Sequence, residues 1–190
     1  GDLLEYRHLI KHPKYKTTWS KSFGTEIRRL ATTTETIFFV KRKDIPEDRQ
    51  KDVTYGRICC NYREQKKDAY RTRITMGGNL INYPGDCGTP TADLLTVKLL
   101  FNSVISTPQA KFMCIDIKDF YLCTPMERYE YFSMKLELFP EDIIEEYKLR
   151  DKVDAKGNVH CEVRRGMYGL PQAGIIAQEL LEKRLATAGY

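Results

Sequence analysis

Five consecutive residues, Glu64-Gln65-Lys66-Lys67-Asp68, are too polar to bury, and they separate two strand-like runs, Val53–Arg63 and Tyr70–Gly77. Two such runs joined by a short solvated tip fold back on one another, so the sequence specifies an antiparallel hairpin. Helical periodicity precedes it. Residues 17–31 place Trp19, Phe23, Ile27 and Leu30 on one stripe, and Ile37–Val40 is a short buried strand ending in Lys41-Arg42-Lys43. After the hairpin, residues 90–106 read as a second helix with Thr89 or Thr91 as cap, Pro90 in the first turn, and Leu94, Val97, Phe101 and Val104 on one face. Residues 110–117 are a nearly continuous apolar run, expected as a strand. Tyr129–Leu136 reads as a strand, Phe139–Tyr147 as a short helix, Val153–Val163 as a hairpin turning at Lys156-Gly157-Asn158, and Gln172–Ala188 as a last helix. Antiparallel hairpins interleaved with helices specify an α+β architecture rather than a doubly wound sheet.

The 190 residues suffice for one full-size domain or two small lobes sharing a core. With 42% hydrophobic residues regularly spaced, the chain is not intrinsically disordered. No apolar run approaches the roughly 18–20 residues of a membrane span, and no signal segment opens the sequence, so a soluble protein without a membrane partner is expected. Because the first residue is Gly1 rather than Met, the chain is expected to be a piece of something longer.

Charge is unevenly placed. Residues 1–73 carry 18 Lys and Arg against 10 Asp and Glu, whereas residues 74–190 carry 13 against 16. A basic first half joined to a mildly acidic second half is the pattern of a chain that holds a polyanion in one lobe and works with carboxylates in the other; an ordinary solvated surface gives the same counts. The six cysteines form no C-x-x-C pair, which argues against a zinc site and for a reducing compartment. Cys114 and Cys161 fall at apolar strand positions and read as small core residues.

Asp116 is the most informative single residue. A carboxylate at the end of an apolar strand is costly to desolvate unless a positive partner, such as a metal ion, lies beside it. The plainer alternative is an Asp that caps the following turn. A D-x-D phosphatase motif fails because position 118 is Lys.

The stretch Phe112-Met-Cys-Ile-Asp116-Ile-Lys118-Asp119-Phe120-Tyr121-Leu122 resembles the first palm motif of reverse transcriptases, and among them those of copia-like retrotransposons. Gly166-Met-Tyr168-Gly169-Leu170-Pro171-Gln172-Ala173 resembles the second palm motif of the same family. Tyr70-Arg71-Thr72-Arg73-Ile74-Thr75-Met76-Gly77-Gly78 resembles its second fingers strand, and Asp86–Thr91 its return to the palm. Together the matches cover roughly residues 15–190. They imply a right-hand fold divided into fingers with the first palm helix (1–108), the palm strand with the first carboxylate (109–124), hairpins returning between fingers and palm (125–166), and the second palm motif with the start of a long helix (167–190).

The resemblance implies RNA-directed DNA synthesis, the addition of deoxynucleoside triphosphates to the primer 3′-hydroxyl on an RNA or DNA template, through two Mg²⁺ ions for which Mn²⁺ can substitute. It implies that Asp116 and the backbone carbonyl of Ile117 are metal ligands. Arg73, with Arg71 and either Arg57 or Arg63, would clamp the triphosphate, since guanidinium forks suit phosphate oxygens. Asp119, Phe120 and Tyr121 would line the nucleotide site, with the Tyr121 ring excluding a 2′-hydroxyl, and Gln172 would hydrogen-bond the nascent pair. Lys41, Arg42, Lys43, Gly169 and Pro171 would face the nucleic acid. Further partners would be the rest of a retroelement polyprotein, in a cytoplasmic particle with access to the nucleus. One departure is plain: the family's aromatic-x-Asp-Asp hairpin has no counterpart, because no Asp-Asp occurs in the 190 residues. The chain alone is therefore expected to lack polymerase activity. The alternatives are a non-catalytic remnant that binds nucleic acid, and a two-metal phosphatase or nuclease, which would need a second acid.

Overall fold

A computed structural model describes residues 5–189. Five strands, β1 (Ile37–Val40), β2 (Thr54–Tyr62), β3 (Tyr70–Met76), β4 (Pro125–Lys135) and β5 (Asn158–Arg165), form one sheet in the order β1-β5-β4-β2-β3. The helices are α1 (Tyr6–Leu9), α2 (Lys16–Arg28), α3 (Leu94–Ser106), α4 (Glu141–Glu146) and α5 (Ala173–Ala186). The architecture is mixed α+β, as the alternation of periods requires.

The hydrophobic periodicity of α2 explains its place. Trp19, Phe23, Ile27 and Leu30 are all buried, and α2 packs on β3 and α4. Phe23 meets Tyr6 of α1 at 4.9 Å and Phe139 at 5.7 Å between ring centroids, and Phe139 in turn meets Phe39 of β1. The other half of the core comes from β4 and β5, where Phe132, Met134, Val159, Cys161 and Val163 are buried. β5 is antiparallel to both β1 and β4, and β2 to β3. The hairpin β2–β3 joins the rest only through two parallel pairs, Thr54 with Phe132 and Tyr55 with Ser133. It therefore projects from the sheet, and α2 holds it by side-chain bonds. Ser22 Oγ donates to the carbonyl of Tyr70 (2.9 Å) and accepts from the amide of Thr72 (3.0 Å), and Trp19 meets the Tyr70 ring edge-on.

Several expectations are corrected. α3 starts at Leu94, capped by the Asp93 side chain accepting from the Thr96 amide at 2.7 Å, rather than at Pro90 behind a threonine. Its apolar stripe is not covered: none of its residues is buried, and Leu94 and Phe101 are exposed. Residues 110–117 form no strand. Met113 is 80% exposed and Ile115 68%, and Cys114 is exposed while Cys161 is buried. An apolar run becomes a strand only where a neighbouring strand takes its backbone hydrogen bonds, and none of the described strands lies beside this one. β4 begins earlier than expected, at Pro125, with an irregularity between Pro125 and Glu130. The turn at 154–158 forms, but β5 pairs with β4 and β1 instead of with residues 153–155. There the carboxylate of Asp154 accepts the amides of Lys156 and Asn158, both at 2.8 Å, which bends the chain away from a ladder. In α5 the buried residues are the small Ala173 and Ala177, and Leu185 is exposed.

Candidate anion-binding cleft

The outward face of α2, the inner side of the β2–β3 hairpin, the turn at 116–121 and the ring of Tyr168 enclose a cleft of about 910 Å³. Its chemistry is set by guanidinium groups. Arg63, Arg71 and Arg73 line it, and among the described residues none of the three is within ion-pairing distance of a carboxylate. Partial burial, reinforced by the charges of Arg73, Arg63 and Arg29, pulls the Arg71 guanidinium below its ordinary pKa. The lining as a whole carries seven Lys and Arg against four Asp and Glu, a surplus of positive charge. The Nε atoms of Arg63 and Arg73 are buried and have no hydrogen-bond partner among the described residues. Arg63 donates one bond, from Nη2 to the carbonyl of Asp68 at 2.9 Å, which bends it toward the hairpin tip.

Arg29 is different. At the point where α2 passes into a π-helical turn (Arg29–Thr33), its guanidinium donates to both oxygens of Glu26 at 2.9 Å and to Asp119 Oδ1 at 2.6 Å. Burial works against its charge, but Glu26 and Asp119 outweigh this and raise its pKa. Asp119 has φ of 54°, in the left-handed region, a conformation Asp tolerates better than most residues. The turn it opens is closed by the amide of Cys123 on the Asp119 carbonyl and the amide of Thr124 on the Tyr121 carbonyl, both at 2.9 Å.

The fourth wall comes from the loop between β5 and α5. The Met76 amide donates to the Tyr168 carbonyl at 2.8 Å, which fixes the loop to the end of β3. Gly169 sits at φ of 91°, and a Cβ there would lie 2.2 Å from the Met76 carbonyl oxygen, so only glycine fits. The Tyr168 ring lies under the Arg73 guanidinium (4.9 Å) and edge-on to Tyr121 (5.9 Å, 73°).

The structure thus brings Arg63, Arg71, Arg73, Asp116, Ile117, Asp119, Phe120 and Tyr121 to one cleft. Arg57 is not among them; it lines a separate cavity of about 320 Å³ with Tyr6, Cys59 and Leu138, so Arg63 is the arginine of β2's far end that shares the space of Arg73. Lys41, Arg42 and Lys43 are exposed at the end of β1 and do not line the cleft. Gln172, expected to hydrogen-bond the nascent pair, is instead fully buried, and its Nε2 donates to Glu130 Oε1 at 3.1 Å. The buried carboxylate of Glu130, which also accepts from Arg49 at 2.7 Å and pairs with Arg128 at 3.3 Å, draws the amide inward. Gly169 is exposed and Pro171 half-buried. Sequence reasoning passed over Glu26 and Arg29, although an acid and a base at i, i+3, flanking the apolar stripe at the end of α2, are the signal that finds them. Asp116 is exposed with its carboxylate free of any pair among the described residues, while that of Asp119 is taken by Arg29. No group of three or more His, Cys, Asp or Glu converges among the described residues. Comparison with family models, with curated proteins and with solved structures finds no match to this chain.

Proposed function

We propose that the cleft binds the triphosphate of a deoxynucleoside triphosphate, and that the chain is the fingers and part of the palm of a copia-like reverse transcriptase. One observation carries the reading: three unpaired guanidinium groups on the hairpin and the Asp116–Tyr121 turn, separate in sequence, line a single cleft. Arg73 and Arg71 supply bidentate donors to phosphate oxygens, and Arg63 closes the outer end. Tyr121 forms the wall against the sugar. The Lys41–Lys43 turn, on a different part of the surface, meets the template backbone through charge alone.

Asp116 and the carbonyl of Ile117 are what these residues would offer to Mg²⁺. One free carboxylate does not bridge two ions, so the donor set present fits nucleotide binding and falls short of a two-ion centre. The chain accordingly acts here as a binding unit, and phosphodiester synthesis requires carboxylates beyond those described. A second reading, a nucleic-acid-binding remnant without nucleotide binding, draws on the burial of Gln172, which takes one of the residues expected at the nucleotide away from the cleft.

Calorimetric titration of the 190-residue protein with dTTP separates the two. Binding is expected, and Arg73→Ala should weaken it about 10- to 150-fold, the worth of a charged bidentate contact, while affinity for a single-stranded oligonucleotide changes little. Absence of dTTP binding by the wild-type protein, with oligonucleotide binding intact, favours the remnant.

A further inference from the structure

Tyr168 has no part in the reading above, yet it touches residues on two walls of the cleft, Arg73 of the hairpin and Tyr121 of the turn. Its ring face carries the Arg73 guanidinium at 4.9 Å, and its edge meets Tyr121 at 5.9 Å. Among the described residues Arg73 has no carboxylate partner and its buried Nε no acceptor, so the aromatic face is the attractive surface that they provide for its charge. An arginine on β3 would otherwise sample many rotamers, at an entropic cost whenever it met a ligand. The ring is itself held, because the Tyr168 carbonyl accepts from Met76 on β3 and Gly169 lies against the Met76 backbone. The platform and the strand that bears Arg73 therefore move as one piece.

We infer that Tyr168 is a positioning residue for the cleft: its ring presets the Arg73 guanidinium toward the phosphates. The inference rests on the triphosphate reading above. It requires the ring and not the hydroxyl, for which the described residues give no hydrogen-bond partner. It also places the effect of Tyr168 on phosphate binding, through Arg73, and not on the base.

The test uses the intact 190-residue protein and two probes, inorganic tripolyphosphate and dTTP, titrated calorimetrically against wild type, Tyr168→Phe, Tyr168→Leu, Arg73→Ala and the Arg73→Ala/Tyr168→Leu double variant. Tyr168→Leu should weaken both probes by a similar factor, about 3- to 10-fold, in the range of a partly desolvated cation–π contact. Tyr168→Phe should bind both as wild type does. The double variant should bind no worse than Arg73→Ala alone, because the ring acts through the arginine. Tyr168 is only half-buried, so Tyr168→Leu should fold; if its thermal unfolding shows otherwise, Tyr168→Trp, which keeps a cation-binding face, must retain affinity and Tyr168→Gln must lose it. Unchanged affinity in Tyr168→Leu overturns the inference while leaving the triphosphate reading intact. Loss for dTTP with none for tripolyphosphate also overturns it, since the ring would then touch the nucleoside. Failure of the wild type to bind either probe overturns the triphosphate reading and the inference with it.

Discussion

The four guanidinium groups around the cleft divide into two kinds. Arg29 is neutralised by Glu26 and Asp119 and holds the turn that carries Tyr121; Arg63, Arg71 and Arg73 have no carboxylate partner among the described residues. Asp116 stands across from them as a free carboxylate, and its sign makes a prediction. With divalent ions removed by EDTA, Asp116→Asn should tighten tripolyphosphate binding about two- to threefold, since a like charge several ångströms from the ligand costs a few tenths of a kcal/mol in a solvated cleft. With Mg²⁺ present the same variant should bind dTTP more weakly than wild type. Identical isotherms in both conditions would remove Asp116 from the site.

At the scale of elements, what decides each segment is whether its polar backbone and apolar side chains find partners. The turn before β5 is built on Asp154, which accepts from two backbone amides and from Asn158 Nδ2, and lies 2.9 Å from His160 Nε2. Burial raises its pKa, but these donors outweigh burial and hold the carboxyl well below the ordinary carboxylate range. The sign follows from linkage: a depressed carboxyl contributes stability that is present above the unfolded value of about 3.9 and is lost as pH falls toward the lower folded value. Asp154→Asn should therefore lower stability by about 1–3 kcal/mol at pH 7 and flatten the loss of stability below about pH 4. Denaturant titrations at pH 7, 4 and 3 check both; parallel curves for the two proteins would rule out the carboxylate as the origin.

Across the whole molecule, one buried network fastens the halves together. Glu130 on β4 is fully buried and joins Arg49, Arg128 and Gln172, and Asp52 pairs with the two arginines in turn. Burial raises the Glu130 pKa against the opposing pull of Arg128 and Arg49. These residues come from the segment before β2, from β4 and from the start of α5, so the network fixes the loop that carries Tyr168 relative to the sheet. Glu130→Ala leaves the two partly buried guanidinium groups with Asp52 alone and takes from Gln172 Nε2 its acceptor. It is expected to cost about 2–4 kcal/mol in guanidinium-chloride unfolding, far more than Glu127→Ala at an exposed position of the same strand. Equal costs for the two would mean that solvent screens the network. No described helix is long and apolar enough to cross a membrane.

The sequence by itself determined the elements whose signal is local. The helical stripe of α2, the strand Ile37–Val40 and the hairpin with its charged tip need only period and polarity to be read. The residues of the cleft were legible through their motifs, because Asp116, Tyr121, Arg71 and Arg73 sit at short fixed spacings. Only the tertiary structure decided what depends on a distant partner. The run 110–117 and the stripe of α3 have core-like sequences, but burial needs a second surface, and the contact of Phe101 with Phe112 leaves both rings exposed. Gln172 has the sequence of a polar helix start, yet Glu130, 42 residues away, turns it inward. Arg57 and Arg63 are equivalent in sequence, and the way β2–β3 leaves the sheet toward α2 puts only Arg63 in the cleft. Hydrogen bonds and ion pairs between remote residues carry no period, so the chain must fold before they exist.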